Sequence, residues 1–246
     1  MRYFMELAYN GTPFCGWQVQ PGVSTVQGVM EHTLSLMLRE PIAVTGCGRT
    51  DTGVHARQFF AHFETDTAVD TLLFTRKLNS FLPKEIAVKR IFAVPADLHA
   101  RFSAQSRTYK YYVAVQKEPF QFHYSYRFFA DLDRDKMNEA ASVLMEIEDF
   151  TSFSKLHTQV NTNICHVSYA RWEMEEGMLV FTVTADRFLR NMVRAIVGTL
   201  LQVGEGKTTF SEFQEIIRRK DRCAAGASVP AHALFLHAVS YDWSCL

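Results

Sequence analysis

The chain has no excess of either charge. Its 26 Lys and Arg balance 26 Asp and Glu, for a formal net charge of +0. Proteins that neutralise phosphates usually show a basic excess, so overall charge lends nucleic-acid binding no support. Cysteine is scarce and odd in number, with 5 residues at Cys15, Cys47, Cys165, Cys223 and Cys245. None has the paired spacing of zinc ligands, and Cys165 beside His166 stands alone. This argues against a disulfide framework and a metal site, and for free thiols in a reducing compartment. No apolar run is long enough to cross a bilayer. Met1 to Glu6 reads as the start of a strand, not as a signal peptide, so a cytoplasmic protein without a membrane partner is expected. Low-complexity tracts, blocks of like charge, a Walker-type loop and a dinucleotide fingerprint are all missing.

What is present is ordinary globular material. The 246 residues are 48% hydrophobic, enough for one large domain or two modest ones. Cations gather locally in Arg101, Arg107 and Lys110, in Arg187, Arg190 and Arg194, and in Arg218, Arg219, Lys220 and Arg222. Each cluster could be a solvated face, or the first two could line a basic cleft.

Periodicity predicts strands over 2–9, 42–47, 58–63 and 86–94, with helices from about Ser24 to Pro41 and from Asp70 to Phe81. Ser24 with Gln27 reads as a capping box, followed by apolar Val29, Leu34, Leu36 and Leu38. The second half repeats the rhythm. It has a strand over 107–115, a helix opened by Asp133 and a hairpin around Gly177. Helices over 189–203 and 213–220 and a strand over 234–239 follow. The expected fold class is α+β in two halves, residues 1–104 and 105–246.

One segment is dense in chemistry. Gly46-Cys47-Gly48-Arg49-Thr50-Asp51-Thr52-Gly53-Val54-His55-Ala56-Arg57 joins two strands through a turn rich in glycine. Such a turn would present Arg49, Asp51 and His55 at the end of a sheet. A carboxylate there can act as nucleophile or base. A capped turn with a surface ion pair is the competing reading. Asp51-Thr52-Gly53 is also the triplet of aspartic proteases. Those enzymes need two carboxylates sharing a proton, and this chain has one triplet with an arginine beside it.

Gly48-Arg49-Thr50-Asp51-Thr52-Gly53-Val54-His55-Ala56 closely resembles the signature of the TruA-type tRNA pseudouridine synthases. Further segments resemble that family in the same order. They are Tyr9-Asn10-Gly11-Thr12, Gly16-Trp17-Gln18, Thr25-Val26-Gln27-Gly28, His99-Ala100-Arg101-Phe102-Ser103-Ala104 and Arg107-Thr108-Tyr109-Lys110-Tyr111. Asp149 to Phe153, Phe188 to Arg194 and Leu234-Phe235-Leu236 complete the series, while Gln116 to Phe128 matches only loosely.

The resemblance implies two ferredoxin-like halves forming a continuous central antiparallel sheet with an RNA-binding cleft. It implies a homodimer that isomerises uridine at positions 38, 39 and 40 in the anticodon stem-loop of tRNA, without cofactor or metal. Asp51 falls on the family's catalytic aspartate, Tyr109 on its active-site tyrosine and Arg194 on the arginine paired with that aspartate. Arg194 could instead sit on a helix beside RNA phosphate, and Tyr109 could be a strand residue half in the core. Arg49, with Arg57, Arg101 and Arg190 behind it, is expected to grip the RNA backbone. His55 and His99 could contact RNA or pack. A pseudouridine synthase for another RNA and a non-catalytic RNA-binding module are the alternatives.

Overall fold

The computed structural model describes residues 1–155 and 162–244, so Cys245 lies outside the described residues. The chain forms two compact units. The first is Met1–Ser106 together with the chain from Phe235 on, and the second is Arg107–Leu234.

In the first unit, β1 (Arg2–Tyr9) leads through α1 (Val26–Leu38) to β2 (Val44–Gly46) and β3 (His55–Glu64). Then come α2 (Thr71–Phe81) and β4 (Ile86–Val94). β1 lies between β3 and β4 and is antiparallel to both, and β2 is antiparallel to β3. This is the split arrangement of a ferredoxin-like unit. A late strand, β9 (Leu234–Tyr241), adds to β3 in parallel, pairing Phe235 with His55 and Leu236 with Ala56. The sheet is therefore mixed: antiparallel through β4, β1, β3 and β2, parallel where β9 joins.

β1 and β3 place Phe4, Met5, Leu7, Phe59, Phe60 and Phe63 in the core. Fully burying such a side chain stabilises by about 1.5–3 kcal/mol each. Tyr241 meets Phe60 edge-on at 5.2 Å and Phe4 at 5.8 Å. α1 starts one residue later than its sequence suggests. Thr25, not Ser24, is the cap, accepting from the Gly28 N–H. The Gln27 amide instead donates to the Val44 carbonyl, tying the helix to β2, and to Glu31 one turn along α1. Val26, Met30, Thr33 and Leu34 face the core, whereas Leu36 is exposed. The helix stops at Leu38 because Arg39 turns left-handed, before Pro41 is reached. Asp70 caps α2 as expected, and the Asn79 amide exchanges two hydrogen bonds with the Val88 backbone to dock α2 on β4.

The second unit contains β5 (Ala104–Ala114) from Arg107 on, β6 (Tyr126–Arg127), α3 (Arg134–Ser142) and β7 (Val167–Glu175). β8 (Met178–Ala185), α4 (Met192–Gly204) and α5 (Phe210–Arg219) follow. β8 is antiparallel to both β5 and β7, and β6 runs parallel to β5. The hairpin turn uses positive φ at Glu176 and Gly177. A two-residue turn with this geometry matches the twist of the strands. α4 is buried nearly all round, and Arg194 is its only charged residue. Gly198 lets another chain segment approach, since a Cβ there would lie 1.9 Å from the Ala227 carbonyl oxygen. α5 begins with a full capping box of Thr209 and Glu212, at Phe210 instead of Phe213.

Candidate active site

The Asp51 turn is built by the loop that precedes α1. The Asp51 carbonyl accepts from the Val54 N–H at 3.1 Å, closing the turn, and Gly53 takes φ +78° to permit it. On one side of Asp51, the Thr50 carbonyl accepts from the Trp17 N–H at 3.1 Å, and the Thr50 hydroxyl meets the Tyr9 hydroxyl at 2.9 Å. On the other side, the Gly53 N–H donates to the Phe14 carbonyl at 3.4 Å. Gly16, at φ +82°, lies so close that a Cβ would sit 2.4 Å from the Thr50 carbonyl oxygen. Beneath the turn, Trp17 stacks on Phe59 at 4.1 Å. Asp51 is half-buried on this braced turn and Arg49 is exposed.

His55 serves the scaffold. It is buried, its Nδ1 accepts from the Gly11 N–H at 3.0 Å, and its ring stacks on Phe235 at 4.5 Å. A ring nitrogen that accepts cannot carry a proton, so the neutral ring holds its hydrogen on Nε2. His99 likewise organises backbone: its Nδ1 accepts from the N–H groups of Arg101 and Phe102 at 3.0 and 3.2 Å. Of the two readings of these histidines, packing is the one their hydrogen bonds support.

Arg101 is exposed, with its guanidinium 5.5 Å from the ring of the exposed Phe102. Arg57 is exposed too and covers Phe235 at 5.3 Å. Arg49, Asp51, Arg57 and Arg101 all belong to the first unit.

The second unit holds Tyr109, Arg190 and Arg194. Tyr109 is half-buried on β5 and meets Phe188 edge-on at 5.0 Å. Two residues on, Tyr111 is fully buried and donates its hydroxyl proton to the Pro230 carbonyl at 2.9 Å. Burial pushes the Tyr111 phenol well above its ordinary range. Tyr111 is thus the core tyrosine, while Tyr112 is only half-buried. Arg194 lies in the first turn of α4, where its Nε donates to the Val229 carbonyl at 2.7 Å. Arg190 is exposed just before the helix.

The cation clusters largely dissolve into local partners. Lys110 pairs with Glu175 at 2.8 Å, and Arg107 donates to the Asp186 carbonyl at 2.7 Å. Arg218 and Arg219 pair with Glu215, Lys220 pairs with Asp149, and Arg222 donates to Ser228. Burial pushes the Cys165 thiol up to about 12. Among the described residues no group of three His, Cys, Asp or Glu side chains could hold a metal ion. No helix among them is long and apolar enough to cross a membrane.

Sequence reasoning left the brace unassigned. Tyr9, Gly11, Gly16 and Trp17 belong to segments that resemble the family, yet only the fold shows that they hold the Asp51 turn. Phe188 was passed over in the same way. Its position four residues before a helix start carries no signal for contact with Tyr109.

A family described as tRNA pseudouridine synthase matches residues 7–103 and 141–242. The tRNA pseudouridine synthase A of Parabacteroides distasonis is 54% identical over 98% of this chain and 96% of its own length. That of Bacteroides thetaiotaomicron is 55% identical over 98% and 90%, and that of Bacillus subtilis is 39% identical over 98% and 100%. With its Asp51 turn inside the matched region and its relatives aligned nearly end to end, this chain belongs to the tRNA pseudouridine synthase family.

Proposed function

We propose that this protein isomerises uridine to pseudouridine at positions 38 to 40 in the anticodon stem-loop of tRNA. The observation that carries the reading is the Asp51 turn, whose backbone is held on both sides of the half-buried Asp51 by hydrogen bonds. Preorganisation of this kind suits a group that must act on a substrate at one fixed place. Relatives named tRNA pseudouridine synthase A at 50–55% identity support the substrate.

In the reaction the bond from ribose C1′ to uracil N1 breaks and a bond from C1′ to C5 forms. The C5 proton leaves and N1 gains one, so no electrons are exchanged and no energy source is required. Asp51 is the group that attacks the substrate or moves a proton on the sugar. Arg194 is its charge-assisted partner, keeping the carboxylate ionised and oriented. Tyr109 stacks on the target base, a contact worth about 1–3 kcal/mol that tolerates turning of the ring. The uridine must leave its stack first. Arg49 grips the backbone during that step, with Arg57, Arg101 and Arg190 as further contacts.

The enzyme works as a homodimer in the cytoplasm.

The test is incubation of the purified protein with unmodified tRNA transcript, followed by carbodiimide treatment and primer extension. New stops at the anticodon-stem uridines are expected, and none with Asp51→Asn, which should still bind tRNA. Stops only at other uridines would overturn the target. Undiminished modification by Asp51→Asn would overturn the role of Asp51.

A further inference from the structure

α4 is an apolar helix carrying a single charged side chain, Arg194, on its first turn. That guanidinium is oriented in part by the Val229 carbonyl, which accepts from its Nε at 2.7 Å. Arg194 returns the contact through its own backbone, since its carbonyl accepts from the Val229 N–H at 3.2 Å. Through these two bonds, a shift of Val229 is passed to Arg194.

The segment Ala225–Val229 lies as a strap along α4. The Gly226 N–H donates to the Thr199 hydroxyl at 3.0 Å, and Ala227 rests on the bare backbone at Gly198. At the end nearest Val229 the strap is held through the Ser228 hydroxyl. That oxygen accepts from the Asn191 amide at 2.6 Å and from the Arg222 guanidinium at 2.8 Å. The other terminal nitrogen of Arg222 reaches the Gly226 carbonyl at 3.1 Å. Asn191, the residue at the cap position of α4, sits at φ +65°. Its side chain does not cap the helix but holds the strap. A charged donor and an amide that converge on one hydroxyl define its place more narrowly than either alone.

We propose that Arg222, acting through Ser228 with Asn191 as the second donor, is a positioning residue that fixes the Arg194 guanidinium for the isomerisation. The inference rests on the role given to Arg194 above. It separates Arg222 from Arg218 and Arg219, its neighbours in sequence, whose guanidinium groups pair with Glu215 on their own helix.

The experiment measures kcat, KM for tRNA and thermal midpoint, following tritium release from [5-3H]uridine in a tRNA transcript. Ser228→Ala and Arg222→Gln should each lower kcat by about tenfold with KM unchanged, the effect of a reacting group slightly misplaced. Ser228→Thr, which keeps the hydroxyl, should recover most of the rate. In an Arg194→Lys background the Ser228→Ala change should add little, because the coupling runs through Arg194. An unchanged kcat in folded Ser228→Ala and Arg222→Gln would overturn the proposal. So would a full tenfold effect persisting in the Arg194→Lys background. If Ser228→Ala does not fold, the Arg222→Gln and Ser228→Thr pair decides on the same criteria. Wild-type rate in Arg194→Gln would instead overturn the role of Arg194 itself.

Discussion

The hydroxyl groups of Tyr9 and Thr50 lie 2.9 Å apart in the core of the first unit, directly behind Asp51. β1 thus reaches the turn through a side chain, while the Trp17 N–H reaches it through the backbone. Tyr9→Phe leaves a buried Thr50 hydroxyl without this partner, at a cost of about 1–3 kcal/mol. Reduced kcat with nearly unchanged tRNA affinity is expected from single-turnover and filter-binding measurements. Thr50→Val combined with Tyr9→Phe should cost less than the sum of the two single changes.

Gly16 and Gly22 form a matched pair for testing the brace. Both have positive φ, +82° and +75°, but a Cβ at Gly16 meets the Thr50 carbonyl oxygen at 2.4 Å while one at Gly22 meets nothing within 4 Å. Gly22→Ala should cost about 1 kcal/mol of backbone strain and leave activity near wild type. Gly16→Ala should displace the Asp51 turn and abolish most tritium release. Thermal melts and the tritium assay on the two variants check this directly.

His62 makes the first unit sensitive to acid. Burial is the main cause of its pKa falling from 6.5 to about 4, with Arg2 and then His99 acting in the same direction and Glu64 opposing. Its Nδ1 accepts from the Ala100 N–H at 3.1 Å, so the folded unit favours the neutral ring. The unfolded chain binds the proton at higher pH. Stability is therefore full above about 6.5 and falls as pH drops toward 4, by up to about 3 kcal/mol from this group. Denaturant melts between those values should show the loss, and His62→Gln should flatten that limb.

Tyr109 separates stacking from hydrogen bonding. Tyr109→Phe keeps the ring and its edge contact with Phe188, whereas Tyr109→Leu loses the stacking surface. The leucine variant should lose roughly 1–3 kcal/mol of transition-state stabilisation and the phenylalanine variant less. Comparison of kcat/KM for the two measures the difference.

Much of this was readable in the residues. Alternation alone places β1 and β4 at their observed limits, and Asp70 and Asp133 cap the helices that the pattern assigns to them. The Asp51 turn announces itself through glycine density around a carboxylate. What stayed hidden depended on partners far away in sequence. Thr25 and Ser24 are equally good caps in isolation, and the preceding loop, whose Gly16 and Trp17 carbonyls accept from the Val26 and Gln27 N–H groups, decides where α1 begins. Short β6 has no periodicity of its own and exists because β5 offers it an edge. Local charge spacing left Lys110 open to lining a basic cleft, yet Glu175, at the end of β7, pairs with it.

The parallel pairing of β9 with β3 bears on how the protein is made. Phe235, which covers His55, and Tyr241, which packs on Phe4 and Phe60, are translated long after the strands they complete. A nascent chain that has passed residue 106 still lacks these aromatic rings, and β3 still exposes backbone groups along the stretch that β9 will pair. The first unit to be synthesised is therefore the last to be finished. Until the ribosome has released residues 235–241, that unit lacks the strand that pairs His55 and Ala56 and the tyrosine that packs on Phe4 and Phe60.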